Sequence, residues 1–208
     1  AGTNSDVYIS VVPFARDVNV GTSNKSASWV RWTNWEETNG NCTGNGPSNK
    51  TDCLAAGRTW NADNHNKWTG CVMDRDQSYD TTSAAVANSP AAAMAPADQY
   101  GECPVTMLGM TSVKESKQTL LDKIDDMQPK GSTNQGIGTF WGWQTLMLTG
   151  PFAAPAKDPD YFYLDVLILL TDGLNTQSRY YGNGFSHSPD VDARGEADVQ
   201  RRRAPGRA

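Results

Sequence analysis

The chain has 208 residues, 38% of them hydrophobic, with 18 basic against 23 acidic side chains and a net charge of −5. That size suits one domain with a large insertion, and the mean hydropathy of −0.59 is low for a compact α/β protein. The acidic balance, with a pI near 5.0, argues against a general nucleic-acid binder. No stretch approaches the roughly 20 apolar residues that cross a bilayer, and residues 1–10 lack the basic start and apolar core of a signal peptide.

Taken in chain order, residues 7–20 read as two strands with a bend at Pro13, so that residues 1–23 supply the first strands of an α/β domain. From 24 to 105 Gly, Asn, Ser, Thr and Pro dominate, and five of the seven tryptophans (Trp29, Trp32, Trp35, Trp60, Trp68) fall here. This region is expected to be an inserted lobe with little regular structure. Its tryptophans are read as a small core in preference to a carbohydrate- or peptide-binding surface. Cys42, Cys53, Cys71 and Cys103 all lie in it, at spacings that match no zinc pattern. An even number of cysteines in a polar insertion reads as two disulfides formed in an oxidising compartment, with three possible connectivities. The stretch from Asp74 to Asp80 has the alternating oxygens of a calcium loop. Tyr79 and Ala85, however, stand where an EF-hand needs glycine and glutamate, so a polar loop with an internal Asp–Arg pair is expected. Ala84 to Ala97, rich in Ala and Pro, reads as a linker or an irregular crossing segment.

Regular structure is expected to resume over residues 106–194. Ser112 and Glu115 have capping-box spacing, and Val113, Leu120, Leu121, Ile124 and Met127 recur at helical spacing up to Pro129. Ser132 and Gln135 repeat the capping-box spacing before a helix carrying Phe140, Trp141, Trp143, Leu146 and Met147. Thr133 therefore sits at a loop-to-helix junction. The apolar run from Val166 to Leu170 reads as a strand buried on both faces, ending in Thr171-Asp172-Gly173. The alternation of helix, loop, helix, strand and loop predicts a doubly wound α/β sheet, whose ligands bind beyond the carboxyl ends of the strands. A hydroxyl from Thr133 and a carboxylate from Asp172 suit a hard divalent ion such as Mg2+, with Ca2+ or Mn2+ as alternatives. The plainer reading of Asp172 is a solvated loop residue capping the next turn. There is no Gly-x-Ser-x-Gly elbow, no phosphate-binding glycine loop and no evident general base, so an enzyme is not expected. Residues 195–208 lack apolar periodicity and are expected to form a disordered basic tail. Its four arginines are weak grounds for nucleic-acid or membrane binding.

Three segments together carry a resemblance: Gly131-Ser-Thr133-Asn-Gln-Gly-Ile-Gly138, Trp141-Gly-Trp143-Gln-Thr-Leu146, and Ile168-Leu-Leu-Thr-Asp172-Gly-Leu-Asn-Thr176. They are similar to von Willebrand factor A domains, and most to those of TadG-like proteins of bacterial tight-adherence (Flp) pilus systems. Val7 to Phe14, Val18 to Gly21, Gly70 to Asp76 and Val191 to Arg194 fit the same group. The resemblance implies a metal-ion-dependent adhesion site in which Thr133 and Asp172 are two of the ligands. The family's Asp-x-Ser-x-Ser loop does not occur in this chain. The central strand of the family's sheet would precede Ala1, and further strands would follow Arg194. The resemblance thus implies a partial doubly wound domain, an incomplete metal site with weak binding, and a fragment of a longer protein. It further implies a non-enzymatic adhesion or pilus-assembly module with a protein partner, such as a pilus or secretion component, in the periplasm or at the cell surface. Any inner-membrane anchor would lie upstream. A metal-independent structural module and a metal-dependent hydrolase using Asp172 are the alternatives.

Overall fold

A computed structural model describes residues 7–202, so residues 1–6 and 203–208, the ends of the first expected strand region and of the expected tail, lie outside the described residues. The elements run β1 (Tyr8–Val11), β2 (Val18–Asn19), β3 (Val30–Arg31), α1 (Thr33–Thr38), β4 (Gly40–Cys42), α2 (Lys50–Ala55), β5 (Trp60–Ala62), β6 (Cys71–Val72), β7 (Ala95–Pro96), β8 (Leu108–Ser112), α3 (Val113–Asp125), α4 (Gln135–Leu146) and α5 (Pro189–Arg202). The architecture is mixed α/β, with small sheets in place of the single parallel sheet that was expected. Each ladder has two strands: β1 with β8, β2 with β6, β3 with β7 and β4 with β5. Only β3–β7 is parallel among the described residues.

The disulfides are Cys42–Cys53 and Cys71–Cys103, so both cross-links close within 24–105 as expected. The region is more regular than its composition implied. Its polar segments form short ladders and turns around Trp35 and Trp68, which are 1% and 2% exposed. These rings do not stand apart from the rest. They belong to one cluster with Val18, Val20, Val72, Ile137, Phe140 and Trp141, so β2, the insertion and α4 share a core. Trp29 packs on Trp141 and Phe152, with ring centroids 6.1 and 6.2 Å apart, and Trp32 meets Trp35 and Trp68 edge-on. Arg75 is buried with its guanidinium 4.2 Å from the Phe140 ring centroid, which seats the loop before Asp76 against α4.

Ser112 caps α3 as its spacing predicted, its hydroxyl accepting from Glu115 N–H at 3.3 Å. Of the helix's apolar stripe, Leu120 is buried, whereas Leu121, Ile124 and Met127 remain exposed. In α4 the cap shifts two residues from the expected Ser132: the Asn134 side chain accepts from Ile137 N–H at 3.3 Å. The Ser132 hydroxyl is instead directed at Gly184 O, 3.5 Å away, and leaves the cap to the Asn134 side chain. The α5 helix corrects the tail expectation, since residues 195–202 are helical. Val191 is buried, acidic residues fill the first turn, and Arg194 pairs with Asp80, all of which favour a docked helix. A Cβ added to Gly136 would sit 3.6 Å from Gly195 Cα, which measures how closely α5 crosses α4.

The largest departure concerns Leu164 to Leu170. This run is not a buried strand. It is free of turn or helix and makes no ladder, with Val166, Ile168 and Leu170 exposed by 58, 75 and 82% and Leu167 and Leu169 by 37% each. The alternation is that of an extended chain with one face turned towards the protein. Leu167 lies against α4, its Cδ1 3.1 Å from where a Gly142 Cβ would be. The physical reason for its exposure is the absence of a neighbour: no strand among the described residues pairs with either edge.

Candidate functional site

The sequence-predicted pair comes together through its loops. Thr133 N–H donates to Thr176 Oγ1 at 2.9 Å, while Thr133 O accepts from the N–H groups of Thr176 and Gln177 at 2.9 and 3.2 Å. Gln135 Nε2 donates to Gly173 O at 3.1 Å. A Cβ on Gly173 would lie 3.1 Å from Thr133 Oγ1, so the Thr133 hydroxyl faces the residue that follows Asp172. The Thr171 hydroxyl closes the turn, accepting from Gly173 N–H and donating to Gly173 O, both at 3.2 Å. Asp172 is exposed beside this turn. Thr133 and Asp172 are thus neighbours on one loop crest, although not at the edge of a parallel sheet.

The crest is held from below by side chains that sequence reasoning missed. Asn175 accepts from Gln135 N–H at 2.8 Å and donates to Asp192 Oδ1 at 2.9 Å. Asp192 Oδ2 lies 2.5 Å from His187 Nε2, and its carboxyl is held below the usual range, first by the hydrogen bond from Asn175 and then by that to His187. Between this group, Leu169 and α5 lies a cavity of about 330 Å³, with Gln135, Asp192, Glu196 and Val199 in its wall. The motif Val191 to Arg194 carried the signal for Asp192, but sequence alone did not show that it folds back beneath the Thr133 loop.

Behind α4 runs a second polar network. Asp74 Oδ2 accepts from Asn134 Nδ2 at 2.9 Å and from Arg179 N–H at 3.0 Å. Burial pushes the Asp74 carboxyl up to about 6, against the pull of its hydrogen bonds with Arg179 and Asn134. Asp76 is the opposite case. Arg31 clamps both of its oxygens at 2.6 and 2.7 Å, Arg179 adds a contact at 2.9 Å, and the carboxyl falls to about 2, mainly through the Arg31 hydrogen bonds. Asp80 pairs with Arg194. The expected internal Asp–Arg pair is therefore replaced. Arg75 turns inward and donates to the carbonyls of Tyr79, Thr82 and Ala84, and arginines distant in sequence reach the carboxylates.

Among the described residues no group of three or more His, Cys, Asp or Glu side chains is placed to hold a metal ion. Thr133 and Asp172 offer one neutral and one anionic oxygen, the donor types that magnesium takes. Asp192 is near the same loops, but both of its oxygens are engaged by Asn175 and His187. Two such donors would account for at most two of magnesium's six positions, the rest falling to water or to a partner. No helix among the described residues is long and apolar enough to cross a membrane. No protein-family model, characterised protein or solved structure matches the chain.

Proposed function

We propose that this chain is a protein-recognition module built on a von Willebrand factor A-like, doubly wound α/β plan, of the kind found in TadG-like pilus-assembly proteins, and that it is not an enzyme. The reading rests on one observation above all: the Thr133 hydroxyl and the turn bearing Asp172 lie side by side, tied by Gln135 and Thr176. A divalent ion, Mg2+ or else Ca2+ or Mn2+, held there by Thr133 and Asp172 would supply positive charge to an acidic group on a pilus or secretion component. Two disulfides fit a location in the periplasm or on the cell surface.

With only two protein oxygens, binding by this chain should be weak, because magnesium dehydrates reluctantly and gains little from two ligands. Titration with MgCl2, followed by the amide resonances of Thr133 and Gly173, is the test. The expected outcome is saturation with a dissociation constant on the order of millimolar or weaker, lost in Asp172→Ala. Micromolar binding that survives Asp172→Ala would sink the proposed ligand pair. A metal-independent structural role is the second reading, favoured by the lack of a third acidic or histidine ligand among the described residues. It predicts no magnesium-dependent shift at either amide. A hydrolytic role finds less support: His187 bonds Asp192, and among the described residues no hydroxyl or thiol is hydrogen-bonded to His187.

A further inference from the structure

Three asparagines precede a glycine, at Asn39-Gly40, Asn45-Gly46 and Asn183-Gly184. In this dipeptide the side-chain amide and the next main-chain nitrogen meet most readily, because glycine has no Cβ to block the approach and rotates freely. Reaction between them requires a mobile side chain and a glycine N–H free to lose its proton. The structure separates the three steps on those two conditions. Asn39 Nδ2 donates to Trp35 O at 2.8 Å and to Thr38 Oγ1 at 3.2 Å, and Asn39 O accepts from Asp63 N–H at 2.9 Å. Gly40 opens β4 with its Cα closely walled: an added Cβ would lie 2.6 Å from Asn61 O and 2.7 Å from the Trp60 ring. Asn183 Oδ1 accepts from Phe185 N–H, Ser186 N–H and Ser186 Oγ at 2.9, 3.0 and 3.2 Å. The Gly184 N–H donates to Thr176 O at 3.0 Å, so the nitrogen is occupied as well. Both steps are held by contacts that must open first.

Asn45 differs on both conditions. It is exposed in the turn between β4 and α2, with φ at 53°, a left-handed conformation that asparagine tolerates. Neither its side chain nor the Gly46 N–H has a hydrogen-bond partner among the described residues. Glycines on both sides let the torsions around Asn45 change at little steric cost. The turn is anchored next to it and not through it, since Arg58 Nη1 donates to Thr43 O at 2.8 Å and also to Gly44 O. The fold also keeps the second residue of the step, because a Cβ on Gly46 would run into Cys42 Sγ.

We propose that Asn45 is a site of spontaneous deamidation in the folded chain, converting to a mixture of aspartate and isoaspartate while Asn39 and Asn183 stay intact. Solvent hydroxide takes the Gly46 N–H proton, and the nitrogen forms a bond to Asn45 Cγ. The Cγ–Nδ2 bond then breaks, and Nδ2 takes up protons from water and leaves as ammonia, giving a cyclic imide. Water opens the imide. Cleavage at Cγ gives aspartate, and cleavage at the main-chain carbonyl gives isoaspartate, so the net change is water consumed and ammonia released. Both products add a negative charge to the turn whose carbonyls Arg58 binds. Isoaspartate also lengthens the main chain by a methylene, inside the loop that Cys42–Cys53 closes. The disulfide confines that extra length to the loop.

The test uses the whole chain, kept in warm, mildly alkaline buffer free of divalent ions, so that the result is separate from the cation reading. Peptide mapping by mass spectrometry reads acid in place of amide, and an isoaspartyl methyltransferase reads the isoaspartyl share. In the folded chain the peptide holding Asn45 should convert at least about tenfold faster than those holding Asn39 and Asn183. In the reduced chain in urea the three rates should converge, because local structure no longer separates them. Asn45→Gly removes the reactive amide and suits the positive φ, so it should keep the circular dichroism spectrum of the parent and lose the acidified peptide. Conversion of Asn39 or Asn183 as fast as Asn45 in the folded chain would overturn the proposal. So would an Asn45 peptide that stays amidated in the folded chain after the same peptide has converted in urea, and so would an acidified peptide that persists in Asn45→Gly.

Discussion

Residues 24–105 and residues 164–170 invert what hydropathy alone would assign them. The first region is rich in Gly, Asn, Ser and Thr, yet it places Val30, Trp35, Trp68, Val72, Val86, Ala95 and Ala97 in the core. The second is the most continuous apolar run among the strand candidates, and it lies open on one face. The difference is one of partners. In the insertion, two disulfides and short ladders bring Trp32 against Trp35 and Trp68, and the polar groups bond one another around them. The apolar run has α4 and a cavity shared with α5 beside it, and no strand on either edge among the described residues. Burial follows from complementary surface on both faces and both edges, and a hydrophobic sequence cannot supply that by itself.

The strongest way to break this comparison is to remove a ring from the insertion. Trp68 is 2% exposed and donates from Nε1 to Cys71 O at 2.7 Å. Trp68→Ala should destabilise the chain by about 3–5 kcal/mol through the cavity and the freed carbonyl, as read by urea denaturation. A loss under about 1 kcal/mol would show that the insertion folds without this core.

A second measurement sharpens the electrostatic side. Asp74, with its carboxyl pushed up to about 6, binds a proton more tightly folded than unfolded. Stability from this group is therefore fully present below its unfolded value near 4 and is lost as pH rises from about 4 to 6. Asp76, pulled down to about 2, acts in the opposite sense and contributes stability that is lost as pH falls from about 4 to 2. Asp74→Asn keeps an oxygen for Asn134 Nδ2 and Arg179 N–H and removes the buried charge. It should flatten the decline between pH 4 and 6 and leave the acid limb intact. An unchanged decline would move its origin to another group.

The smallest effect is expected at Ile168, which is 75% exposed. Ile168→Thr should change stability by no more than about 0.5 kcal/mol. A loss of 2 kcal/mol or more would mean that the side chain is packed and that the two regions do not differ as described.

Much of the local structure was legible from residue spacing. The Ser112 cap, the position of α4 and the confinement of both disulfides to 24–105 follow from short-range signals, whereas the nearness of the Thr133 and Asp172 loops was expected only through the sheet plan and the resemblance. What failed depended on distant partners. Nothing near Asp74 or Asp76 in sequence names Arg179 or Arg31, and an intervening Arg75 invited the wrong pairing. The register of α5 under the Thr133 loop depended on Gly136 meeting Gly195, a contact no periodicity reveals. The run at 164–170 was read as a buried strand and is neither buried nor part of a ladder, because apolar character reports a tendency and not the presence of a neighbour.

Tyr100 adds a mechanical consequence. Its hydroxyl accepts from Ser132 N–H at 2.9 Å, its ring lies 4.2 Å from the Arg16 guanidinium carbon, and its carbonyl accepts from Cys103 N–H at 3.2 Å. Tension applied at the Thr133 crest passes along this route to Cys103 and across the disulfide to Cys71 on β6. Stretching the crest away from the core therefore works against a covalent tether within a few residues of the load, and the weakest link in that path is the single hydrogen bond between Ser132 and Tyr100.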